Sequence, residues 1–205
     1  MSQQGDYMKI KLYHSNYNWL KLFIKRNFRV LKLALLVVFI SFFGTVLFLS
    51  INNDMNATTI PLSYLEEGIS DSENDVFAVC FSIFSHNFII LLPALIGVFS
   101  LGFLSIIYVS LQGYLLGVSI YSISQTMSIS TVIKFTIFHG IFEMIAIALV
   151  TAFAIKPAEI TIESIRGNRK FIQKQDLIDM VVLLTMYIIF LFAASLIEGL
   201  ILLNI

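Results

Sequence analysis

The sequence predicts an all-α integral membrane protein: a helical bundle of about five transmembrane helices, preceded by an amphipathic interfacial N-terminal helix, with the N-terminus cytoplasmic. Three observations carry that prediction. Of the 205 residues, 58% are hydrophobic and only 13% charged, about half the ~25% of a soluble domain. So few charges leave too little polar surface to cover a water-facing globule. Apolar runs recur at lengths suited to a hydrocarbon layer of ~30 Å, which about 20 helical residues cross. Finally, the formal net charge of +0 hides a segregation. Residues 1–32 hold Lys9, Lys11, Lys21, Lys25, Arg26, Arg29 and Lys32 against one acid, Asp6. Residues 51–76 hold Asp54, Glu66, Glu67, Asp71, Glu73 and Asp75 with no Lys or Arg, and residues 156–175 hold Lys156, Arg166, Arg169, Lys170 and Lys174.

The chain divides into a basic segment, residues 1–32, and one transmembrane domain, residues 33–205. The start does not read as a signal peptide, because its basic region is long and no small-residue cleavage site follows the apolar run. From Tyr13 to Lys32, Trp19, Leu20, Phe23, Asn27 and Leu31 fall on one helical face, with Lys21, Lys25, Arg29 and Lys32 on the other side. That pattern suits a helix lying in the membrane interface, with its cations on anionic phosphates. The spans follow at about 33–50, 76–97, 102–121, 133–155 and 180–203. Between Val76 and Ile120 there is no Lys, Arg, Asp or Glu. This stretch is too long for one span and fits two, with the hinge at "GVFSLG", Gly97 to Gly102, and Pro93 disturbing the helix before it. The single cysteine, Cys80, has no intrachain disulfide partner and reads as a buried small hydrophobe.

Orientation follows from the basic residues, which flank spans on the cytoplasmic side. The N-terminus and the 156–175 segment are therefore expected inside and the acidic 51–75 loop outside. An odd number of spans must join that loop to the inner segment, which independently supports splitting 76–120 in two. Lys134, at the outer end of the fourth span, is the exception.

A few polar residues interrupt the apolar runs: His86 and Asn87 in the second span, Gln112 in the third, His139 and Glu143 in the fourth, and Glu198 in the fifth. A carboxylate at bilayer depth costs several kcal/mol unless paired, solvated or protonated, so such residues are site candidates by default. His139 and Glu143 stand at i, i+4 and leave one helix face, with Gly140 beside them. They could form a proton- or ion-handling site, or a buried polar clamp that fixes helix packing. The clamp is the simpler reading, because the pair alone supplies no pathway. The expected surroundings of Glu143 are His139, His86 and Asn87 of the second span and Glu198 of the fifth, with the fourth span at the centre. Gly113 and Gly117 form a G-x-x-x-G, suited to close helix contact within the chain. His139-x-x-x-Glu143 lacks the second imidazole and the adjacent base of a zinc protease motif. No phosphate loop, nucleophilic triad or redox motif is present. The chain is therefore expected not to be an enzyme and to use no metal, cofactor or nucleic acid.

Four stretches are similar to the stage II sporulation protein M family of multi-pass membrane proteins. They are "SHNFIILLPALIGVFSLG"; "QGYLLG", with Gln112 where that family usually has Asn; "FHGIFEMIA", matching at His139, Gly140, Glu143 and Ala146; and "ASLIEG", with Glu198 and Gly199. The resemblance covers roughly residues 75–203. After the fourth span the family tends to glycine, whereas this chain reads "AFAIKPAE". The resemblance implies a bacterial cell-membrane subunit without catalysis of its own, expected to be a permease-like component of a transport or export complex. Its implied partner, besides the lipid bilayer, is an ABC-type ATPase or another membrane-complex subunit, docked on the basic N-terminal helix and the 156–178 segment. The alternatives are a scaffold that recruits peptidoglycan hydrolases through the acidic loop, and an autonomous ion- or proton-coupled carrier.

Overall fold

A computed structural model describes residues 3–52, 76–126, 138–168 and 171–203. The described residues form five helices: α1 (Gln3–Asn52), α2 (Val76–Ile96), α3 (Phe103–Thr126), α4 (Phe138–Ile165) and α5 (Lys174–Leu203), with a 3-10 turn at Gly97–Ser100. All five are long and apolar enough to cross a membrane.

The bundle is organised around α4. Every residue from Ala146 to Thr151 is buried, and Ala152, Ala154 and Ile155 continue the run. A helix that is apolar all round belongs inside, not at a boundary. Accordingly 56% of the most apolar stretch of α4 is buried, against 17–28% for the other four helices. α4 packs on α5, α1, α2 and α3. Its alanines let these neighbours approach, and Thr151 satisfies its own hydroxyl on the carbonyl of Ile147, at 2.7 Å.

α1 offers the bundle a single stripe: Phe23, Asn27, Val30, Ala34, Val38, Phe42, Thr45 and Leu49, all buried, at the three- and four-residue steps of one helix face. The opposite face, with Phe39, Ile40, Leu47 and Phe48, is exposed. α3 meets the stripe through its two glycines. A Cβ on Gly113 would fall 2.0 Å from Ser41 Oγ, and one on Gly117 would fall 2.8 Å from Thr45 Cβ. The G-x-x-x-G therefore meets a Ser-x-x-x-Thr of the same chain, small residues on both sides of a close crossing. Ser41 and Thr45 donate to the carbonyls of Val37 and Ser41 at 2.8 and 2.7 Å. No hydroxyl of this crossing then has to be satisfied from lipid.

The α2–α3 hairpin turns at the expected hinge. The helix passes Pro93 and ends at Ile96, and Leu101 and Gly102 take left-handed backbone angles, φ 54° and 84°. The Gly102 N–H closes the turn on the Gly97 carbonyl at 2.9 Å. The Ser100 hydroxyl donates to the Gly97 carbonyl and accepts from the Leu104 N–H at 3.0 Å, capping α3. The Tyr108 hydroxyl donates to the Ile90 carbonyl and ties the two arms together. A Cβ on Gly102 would lie 2.8 Å from the Cα of Ile155, so the turn rests directly on α4.

The helix ends differ from the expected spans. α1 runs unbroken through position 32. α4 continues past Ile155 to Ile165, and α5 begins at Lys174 instead of about 180. Residues 133–137, expected to open the fourth span, and Lys134 among them, lie outside the described residues, as does the acidic loop from 53 to 75. An apolar count stops at the first charge, but a helix does not have to stop there if the charge is paired. Lys156, only 2% exposed, meets Glu159 at 2.7 Å. Arg26 of α1 grips Asp179 of α5 with two hydrogen bonds, 2.9 and 2.7 Å, and Gln175 adds a third at 3.1 Å. Arg29 pairs with Glu163. Since Gly102 marks the level of Ile155, the ten residues from there to Ile165 carry α4 about 15 Å beyond the hairpin tip. α1 and α5 accompany it, so three helices form a charged stub past the end of the other two. At the far end of this stub α4 closes on Gly167, φ 73°, and the Asp176 carboxylate accepts the Gln173 N–H at 2.9 Å at the start of α5.

Two contrasts test this account by thermal unfolding in detergent. Gly102→Ala should destabilise by at least about 1–2 kcal/mol for the left-handed backbone alone, with the clash on Ile155 added. Gly44→Ala, where a Cβ meets nothing within 4 Å, should stabilise by about 0.5–1 kcal/mol. Arg26→Ala strands Asp179, whose side chain is 2% exposed, and should cost about 3 kcal/mol. Arg29→Ala, at a side chain 74% exposed, should stay within about 1 kcal/mol. Equal losses for the two arginines would refute the clamp.

Candidate functional site

Across residues 33–52, 76–126, 138–155 and 180–203, Glu143 and Glu198 are the only acids, and there is no Lys or Arg. The fold sets these two within electrostatic reach of each other. They sit on α4 and α5, which pack as antiparallel neighbours with the Phe142 and Phe190 rings 5.9 Å apart. Helical side chains lean toward the helix N-terminus. On antiparallel helices that lean runs in opposite senses, so Glu143 and Glu198 converge from different turns. Both are partly buried, and Glu143 interacts electrostatically with Glu198.

α2 packs on the backbone to either side of Glu198. Cys80 at the start of α2 is fully buried, with its sulfur 3.9 Å from the Leu196 carbonyl. A Cβ on Gly199 would lie 2.5 Å from that sulfur. Gly199 is therefore the residue that admits α2, and α2 in turn packs α5 against α4. Farther along the same seam Phe84 meets Phe192 and Phe88 stacks on Tyr187.

The other expected members of the cluster scatter. His139 lies one turn from Glu143 on α4, but among the described residues no hydrogen bond or ion pair joins them, and the buried His139 Nδ1 has no partner. A shared face is necessary for an i, i+4 pair but does not suffice, and the ionisable group that acts on Glu143 is on the next helix. His86 is exposed. It stands two residues from both Phe84 and Phe88, about 200° around the helix from the face that meets α5. Asn87 and Gln112 are half-buried, Gln112 beside the Gly113 crossing, and Gly140 is buried next to His139. Among the described residues no group of three His, Cys, Asp or Glu could hold a metal ion.

The sequence reading missed a second polar set, in the stub. Asn27, Asp176, Asp179 and Lys156 are buried there, and the Asn27 amide donates to the Phe23 carbonyl at 2.9 Å. The available signal was Asp176 and Asp179 at i, i+3, placed just before an apolar run and opposite in sign to the basic face of α1.

The sequence model of stage II sporulation protein M matches residues 33–201. The chain belongs to the stage II sporulation protein M family. No curated protein and no solved structure matches it. The family match takes in α2, α3 and α4 whole, α5 as far as residue 201 and α1 from residue 33, and leaves residues 1–32 outside it. It therefore contains both carboxylates of the pair, and this family member is a multi-pass membrane protein.

Two carboxylates in apolar surroundings cannot both be ionised cheaply. Such a pair can hold one proton between its members or take up a cation. A double-mutant cycle tests whether they meet. The stability change for Glu143→Gln should differ between the native chain and a Glu198→Gln background by at least about 0.5 kcal/mol, Gln in either place relieving the repulsion. Strictly additive changes would mean that the carboxylates do not interact.

Proposed function

We propose that the chain is a non-enzymatic subunit of a larger transport or export complex in the cell membrane, a permease-like component that docks a soluble ATPase on its stub. The observation that carries this reading is the continuity of α4 and α5. Both run unbroken from the stub to the carboxylate pair. A partner that moved the stub would move the helices that hold Glu143 and Glu198, because Arg26–Asp179 and Arg29–Glu163 clamp α1 onto both.

In this reading the stub is cytoplasmic, as its basic residues favour, and the acidic 53–75 segment is outside. Lys21, Lys25 and Lys32 are exposed on α1 and face anionic headgroups at the inner surface, each contributing about 1 kcal/mol near it. The carboxylate pair favours one second reading, an autonomous ion- or proton-coupled carrier.

Two measurements separate these readings. In a Cys80→Ala background, Ser70→Cys should react with an impermeant thiol reagent from outside intact cells and Asn168→Cys should not. The reverse pattern would place the stub outside and end the ATPase reading. In liposomes the purified chain alone should show no ion or proton flux above empty vesicles. Flux abolished by Glu143→Gln would replace the subunit reading with the carrier.

A further inference from the structure

The outward face of α2 carries polar groups where lipid would be the only neighbour. α2 has 21 residues, about 31 Å of helix, close to the thickness of a hydrocarbon core. His86 is its middle residue, ten from Val76 and ten from Ile96. It is exposed, and so is Ser82 one turn earlier. Neither forms a hydrogen bond among the described residues. This sets Ser82 apart from Ser41, Thr45, Thr151 and Ser195, which all bond to the carbonyl four residues back. Pro93 has no N–H, so the Ile89 carbonyl on the same face loses its helical donor. Ionisable residues at this depth almost always face protein or water.

We infer that this face of α2 is an interface between two copies of the chain, joined by hydrogen bonds from His86 and Ser82. Three features point to a second copy as the occupant. Ser82, His86, Ile89, Pro93 and Ile96 are all exposed, and their spacing of four, three, four and three is the 3.5-residue repeat of a left-handed helix pair. α2 has no charged residue to repel its like, and its apolar stretch is the least buried of the five, 17%. Most decisively, a neutral imidazole is one donor and one acceptor. Across a two-fold axis along the membrane normal, each His86 can donate to the partner's Ser82, so that two equivalent hydrogen bonds form. A self-complementary patch is what an isologous contact requires. The inference does not depend on the subunit reading above.

The test uses the full chain, fluorescently labelled, in phosphatidylethanolamine–phosphatidylglycerol vesicles, with single-molecule photobleaching across a dilution series in lipid. The native chain should pass from one-step to two-step bleaching as protein density rises. His86→Leu should move that midpoint to about tenfold higher density, in line with the loss of interhelical hydrogen bonds. His86→Asn keeps a donor and an acceptor and should move it less than threefold. Because the position is exposed, His86→Leu should unfold at the native temperature. In a Cys80→Ala background, Ile89→Cys should cross-link to its partner on mild oxidation and Phe43→Cys, on the exposed face of α1, should not. One-step bleaching at every density, a midpoint indifferent to His86→Leu, or cross-linking no greater at 89 than at 43 would each overturn the inference. The first would leave lipid or a different membrane protein as the occupant.

Discussion

A helix enclosed by four others has no face on which to carry a polar stripe, and the enclosure of α4 shapes the rest of the bundle. From Ala146 to Ile155 it is built, apart from Phe153, of small and branched residues, with Thr151 bonded back to its own helix. The hinge of the α2–α3 hairpin can sit against it because Gly102 lacks a side chain opposite Ile155. Glu159 and Glu163 lie at the stub end of α4, paired with Lys156 and Arg29; its third carboxylate, Glu143, lies nearer the other end, where α5 supplies Glu198. Polar groups that cannot be shed into water are thus confined to the ends of α4, and the middle is left to packing.

The hinge and the number of helices were legible in the sequence because they rest on local facts. A stretch of 45 residues without charge cannot be one span, and glycines at 97 and 102 mark where it must turn. Glu143 and Glu198 also stood out in the sequence, as ionisable residues in apolar runs. Which of the polar residues meet was not. That depends on the rotation of each helix about its axis, set by packing between residues far apart in the chain. His139 shares a face with Glu143 yet does not bond it, and His86 was expected inward but faces out. Arg26 and Asp179 are 153 positions apart; their opposite signs were in the sequence, but which base meets which acid was not.

The same limit explains the misplaced helix ends. Lys156 looks like the end of a span when read alone. In the fold it is buried and neutralised by Glu159, so the helix passes it at little cost and continues to Ile165. Likewise Asp176 and Asp179 read as loop residues before an apolar run, but they begin α5, one closing its first turn and the other held by α1. Pairing turns what read as span boundaries into the interior of a three-helix stub.

The contact between Cys80 and Gly199 gives the chain a built-in gauge. The thiol is the only one in the sequence and is fully buried between α2 and α5. A reagent can reach it only when those helices part. The rate at which it is modified therefore records how often the seam beside Glu198 breathes, with no label or substitution introduced.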